Sequence, residues 1–64
     1  MSLGFDQREN ETCYDAMIRA AKPHGLDRKC AKVYQMEIGR GASAYMAAFE
    51  ALRQYDLLEI VVDD

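Results

Sequence analysis

Residues 43–64 read SAYMAAFEALRQYDLLEIVVDD, and the place where this stretch changes its period decides the fold. Up to Tyr55, the residues Tyr45, Met46, Phe49 and Leu52 recur at i, i+1, i+4 and i+7, which sets one apolar stripe along a helix. Ser43 precedes the stripe, where its hydroxyl can accept from an unpaired N–H of the first turn. Ala44, Ala47, Ala48 and Ala51 make a second, smaller face, which lets another helix approach closely or, more simply, reflects the high helix propensity of alanine. After Asp56 the chain runs Leu57-Leu58-Glu59-Ile60-Val61-Val62. Its β-branched end is stiff at χ1 and predicts a strand over Leu57–Val62 rather than more helix.

A lone strand leaves backbone donors and acceptors unpaired, so this one needs a partner. Three are available: the Leu3-Gly4-Phe5 segment, the same strand of a second copy, or an extended segment of another protein. The N-terminal segment is short and carries glycine, so pairing between chains is the expectation. Asp63 and Asp64 then act as charge that limits further stacking.

Two more helices precede this one. Thr12-Cys13-Tyr14-Asp15 fits a capping box, and Cys13, Met17 and Ala20/Ala21 follow on one face, flanked by Tyr14 and Ile18. Pro23 and Gly25 stop that helix. Asp27 is the expected N-cap of the second, whose buried side is Cys30, Val33, Tyr34 and Ile38. The GRGAS turn, residues 39–43, ends it, with Gly39 or Gly41 free to take a positive φ. The reading is a mainly α fold: a three-helix domain with a C-terminal β-strand. Residues 11–64 form the single domain, and residues 1–10 are a flexible arm whose first three residues resemble a cloning remnant.

With 64 residues there is one small core, and a domain this size buries only about 60% of its unfolded surface. Oligomerisation is one of the usual compensations. The two cysteines, Cys13 and Cys30, fit no zinc spacing with His24, so no metal and no cofactor is expected. There is no signal-like start and no run of roughly 20 apolar residues, so a cytoplasmic protein with reduced thiols and no membrane partner is expected. Asn10-Glu11-Thr12 fits a glycosylation sequon, which carries no weight without a secretory signal.

Charge is segregated. Residues 19–40 carry six cations and two carboxylates, a balance of +4, whereas residues 1–18 stand at −3 and residues 41–64 at −4. A basic middle attracts phosphates or an acidic partner, and it also suits a solvated helix face lying against acidic ends of the same chain. The phosphate-contact candidates are Arg28, Lys29, Lys32 and Arg40. The candidate interface residues are Tyr45, Phe49, Leu57, Leu58, Ile60 and Val62.

Catalytic readings are weak. GRGAS lacks the spacing and the lysine of a nucleotide-binding loop. A Cys–His pair would need Cys13 or Cys30, both on predicted buried faces, beside His24 in a turn. A non-enzyme is expected.

Residues 43–60 resemble the third helix and first wing strand of winged-helix domains. A capping Ser43 opens an apolar-spaced helix, and Leu52, three variable residues, Asp56, Leu57 and Leu58 follow in the family's order. Asp56 stands where the family commonly has glycine, and no second wing strand follows. The resemblance implies a helix-turn-helix in which the third helix presents Ala44, Tyr45, Ala47, Ala48 and Glu50 outward. It implies DNA binding, while those residues lack base-reading chemistry. Two functions are therefore expected in parallel: a nucleic-acid-associated regulator acting through the second helix, or a homodimerisation or protein-interaction module acting through the third helix and the strand.

Overall fold

The computed structural model describes residues 2–61. The chain runs β1 (Ser2–Gly4), α1 (Cys13–Ala21), a 3-10 turn over Lys22–His24, α2 (Asp27–Gly39), α3 (Ala44–Gln54) and β2 (Glu59–Val61). It is the mainly α fold with a C-terminal strand that the sequence pattern predicts. Each helix packs on the other two, and the α2–α3 contact is the most extensive.

The helix starts follow local chemistry. Thr12 caps α1 by accepting from the Asp15 N–H at 3.1 Å, and Ser43 caps α3 by accepting from the Met46 N–H at 3.2 Å. The expected cap at Asp27 is displaced by one residue: Leu26 is the N-cap of α2, with no side-chain acceptor, and Asp27 is the first helical residue. The Leu26 carbonyl already accepts from the Cys30 N–H at 2.9 Å, so helical bonding begins one residue earlier.

All three helical stretches end in the same way. A residue with positive φ follows, and the next N–H reaches back five residues: Leu26 to Ala21, Ala42 to Glu37, and Leu57 to Leu52. This is the Schellman arrangement, which satisfies carbonyls left over at the helix end. Gly25 and Gly41 take the left-handed position in the first two, and Asp56 takes it at φ 57° in the third. Aspartate tolerates that conformation better than most side chains.

The core contains Phe5, Ala16, Met17, Ala21, Cys30, Val33, Ala48, Ala51 and Leu52. The composition of α3's inner face corrects the sequence expectation. Its buried residues are Ala47, Ala48, Ala51 and Leu52, while Tyr45 is 45% and Met46 is 54% exposed. All three alanines are without exposed surface, and side chains this small let a neighbouring helix approach closely. The apolar weight comes instead from Met17 and Leu52, each fully buried and worth about 1.5–3 kcal/mol. On α2, Cys30 and Val33 are buried, but Tyr34 is half-buried and Ile38 is exposed.

The strand also departs from expectation. Its pairing is within the chain: β1 and β2 are antiparallel, with Ser2 opposite Val61, Leu3 opposite Ile60 and Gly4 opposite Glu59. The strand covers Glu59–Val61 rather than starting at Leu57, because Leu57 is held in the cap of α3. Val62, Asp63 and Asp64 lie outside the described residues. The N-terminal segment read as a flexible arm supplies β1 and the buried Phe5, whose ring stacks on Tyr45 with centroids 5.1 Å apart. Gly4 permits that approach: a Cβ there would meet the Val61 side chain at 3.3 Å and the Tyr45 hydroxyl at 3.6 Å.

Candidate functional site

The loop between β1 and α1 is fastened by Arg19. Its guanidinium donates to both Glu11 oxygens, at 2.7 and 2.9 Å, and to the Asp6 carbonyl at 3.1 Å. The Arg8 N–H adds a further donor to Glu11 at 2.9 Å. These donors, the Arg19 guanidinium foremost, lower the Glu11 carboxyl pKa to about 2, and Glu11 in turn raises that of Arg19. Two more arginines are paired locally: Arg53 with Glu50, its Nε at 2.9 Å, and Arg40 with Glu37 at 3.5 Å. Glu50 is held down and Arg53 up by that contact.

This pairing sorts the basic middle of the chain. Arg28, Lys29 and Lys32 are exposed on one side of α2, and among the described residues none has an ion-pair partner. Arg40, the fourth sequence candidate, is exposed but shares its charge with Glu37. Arg28 and Lys29 also sit in the first turn of α2, where cations oppose the helix dipole and only Asp27 offsets them. The N-cap Leu26 leaves the first N–H groups of α2 without a side-chain acceptor.

The third helix offers little to a base edge. Ala47 and Ala48, expected to face outward, are buried, and Glu50 is occupied by Arg53. What α3 exposes is Ala44, Tyr45 and Met46 at its start and Arg53 and Gln54 at its end, and the last two, the only base-reading types among them, are turned to Glu50.

The candidate interface divides as well. Phe49, Leu57 and Leu58 pack against the protein's own core, so they are not free for a partner. Tyr45 and Ile60 are exposed, and Val62 lies outside the described residues. The sequence pattern missed Leu3 and Met46, exposed at 59% and 54%. Leu3 faces Ile60 across the ladder, and only the pairing of the termini reveals that juxtaposition.

An open groove of about 380 Å³ lies beside the clamp, lined by Phe5, Asp6, Arg19, Ala20, Pro23, His24, Leu57 and Glu59. Its arginine is consumed by Glu11, and it contains no nucleophile with an adjacent base. Cys30 is buried, with its thiol pKa raised by desolvation and then by Asp27, which makes it a small apolar core residue. Cys13 is half-buried, and its Sγ lies 3.6 Å from Gln7 Oε1. Among the described residues no group of three or more His, Cys, Asp or Glu side chains is placed to hold a metal ion. Among them too, no helix is long and apolar enough to cross a membrane.

No protein-family model matches the chain, and no curated protein or solved structure matches it either.

Proposed function

We propose that this protein is a small non-enzymatic binding domain of cytoplasmic, winged-helix-like character that engages nucleic-acid phosphates through α2. The supporting observation is the set Arg28, Lys29 and Lys32: exposed, on one helix face, and free of ion-pair partners among the described residues, while Arg19, Arg40 and Arg53 are paired. Two of these cations stand against the α2 dipole with only Asp27 to offset them, and a polyanion would relieve that cost. Reading of the phosphate backbone, rather than of base edges, follows from the chemistry of α3.

A salt titration of binding to mixed-sequence duplex tests this. Three phosphate contacts give a log–log slope of about −3, and each Lys-to-Gln change reduces it by about 1. Absence of binding at low salt, or a slope unchanged in K29Q and K32Q, refutes the proposal.

A second reading is supported by a separate observation. Tyr45, Met46, Leu3 and Ile60 are large apolar side chains left exposed on α3 and the sheet. Exposed apolar side chains of this kind suit protein interaction or homodimerisation. A concentration series of amide spectra checks it: shifts at these positions support the reading, and an invariant spectrum removes it.

A further inference from the structure

We propose that β2 is a self-pairing edge, at which two copies join antiparallel about a two-fold axis through Ile60 to make a four-stranded sheet β1-β2-β2-β1. This rests on the second reading above and specifies its partner.

The edge is open. Glu59, Ile60 and Val61 make no backbone hydrogen bond outside the ladder to β1 among the described residues. Native proteins blunt such edges with very short strands, charged side chains, proline or a bulge. Here the strand is short and Glu59 is its one charge; it carries no lysine or proline, its register is regular, and its other two side chains are β-branched and exposed. A two-stranded sheet is also marginal, and added strands stabilise it.

The side chains select a second copy and its register. With Ile60 facing Ile60 of the other copy, each Glu59 falls opposite Val61, and no like charges meet. Centring the axis on Glu59 would set two carboxylates face to face, which is destabilising. The Ile60 register has a further consequence on the outer sheet surface. Leu3 and Ile60 are direct cross-strand neighbours, 59% and 68% exposed, and so point to the same face. Duplication about Ile60 extends that pair into an unbroken row, Leu3–Ile60–Ile60–Leu3. Each Ile60 in the row then gains an apolar neighbour across the new ladder. An unrelated extended segment would supply the hydrogen bonds but not the row.

The contact is small, well under a standard stable interface, so the dimer is weak and concentration-dependent. Each chain carries a net charge of −3, so added salt strengthens it, opposite to its effect on nucleic-acid binding.

Cross-linking tests the register directly. Facing residues in an antiparallel ladder have Cα atoms about 4.5–5.5 Å apart, within disulfide reach. In a C13S background, oxidised I60C gives a covalent dimer, V61C alone does not, and E59C mixed with V61C gives the cross-linked heterodimer. Ile60 is exposed, so these variants leave the core intact. Equal cross-linking of V61C and I60C, or none by I60C, overturns the proposal. Amide spectra at about 1 mM, where even millimolar affinities populate a complex, separate it from the reading beneath it. Shifts at Glu59, Ile60 and Val61 support the strand dimer. Shifts confined to Tyr45 and Met46 overturn it while leaving an α3 interface standing, and no shifts anywhere overturn both.

Discussion

Gly39 and Gly41 stand two residues apart in one turn, and alanine at each should change stability in opposite directions. Gly39 is the last residue of α2, its φ is not positive, and a Cβ there would meet nothing within 4 Å. Alanine at that site keeps the native conformation and restricts the unfolded chain, a gain of about 0.5–1 kcal/mol, nearer the lower figure at a helix end. Gly41 has φ 96°, and a Cβ there also meets nothing, so space is not the issue. The cost is backbone strain of about 1–2 kcal/mol, the penalty of placing an L side chain on the left-handed side. The Gly41 N–H to Ile38 and Ala42 N–H to Glu37 bonds, both 3.0 Å, hold the residue in that conformation. The two variants should therefore differ by about 1.5–3 kcal/mol, summing the two effects. In a domain of this size each kcal/mol moves the melting midpoint by about 4–8 °C, so circular dichroism melts resolve the pair easily. Urea titrations should show the same order with an unchanged slope. G41A as stable as the wild type, or G39A less stable than G41A, would refute the assignment of Gly41 to the cap.

Two further outcomes follow from the packing and the clamp. Replacing Ala48, which has no exposed surface and belongs to the core, with leucine should cost about 1–3 kcal/mol by overpacking, measured by urea denaturation. A neutral result would mean that the alanine face is not the closely packed one. The Glu11 carboxyl, with its pKa at about 2 in the folded protein against an ordinary 4.5, favours the fold fully above pH 4.5. That contribution falls away as the pH drops from 4.5 toward 2, because the unfolded chain takes up the proton first. Carbon-detected titration should place the Glu11 midpoint near 2, and E11Q should flatten the stability profile across that window. A midpoint at the ordinary value would show that the Arg19 clamp is open in solution.

The helices were legible because their signals are local. Thr12 and Ser43 precede apolar periodicity and cap as a hydroxyl in that place does, and Gly25 and Gly41 take backbone conformations few other residues adopt. Local signals stop short of assigning faces. On α3 the larger apolar residues gave the more obvious stripe, yet of these only Leu52 is buried, alongside Ala47, Ala48 and Ala51, while Ala44 is exposed. Hydrophobicity alone ranks Tyr45 and Met46 above Ala47 and Ala48, but close contact between two backbones selects for small volume. The basic candidates were legible as a group, while their availability was not. Arg40 is separated from Arg28, Lys29 and Lys32 only by the carboxylate of Glu37 folded beside it.

By itself the sequence determined three capped helices, a β-branched end and a basic segment between acidic ones, since each depends on residues within a few positions of one another. The tertiary structure alone decided that the two ends of the chain meet. Pairing of Ser2–Gly4 with Glu59–Val61 depends on three helices bringing residues almost the whole chain apart to the same side of the core. Burial of Phe5 and the Arg19–Glu11 clamp fix the N-terminal segment there. No periodicity encodes that meeting, because the interactions that pay its loop-closure entropy exist only once the helices have packed.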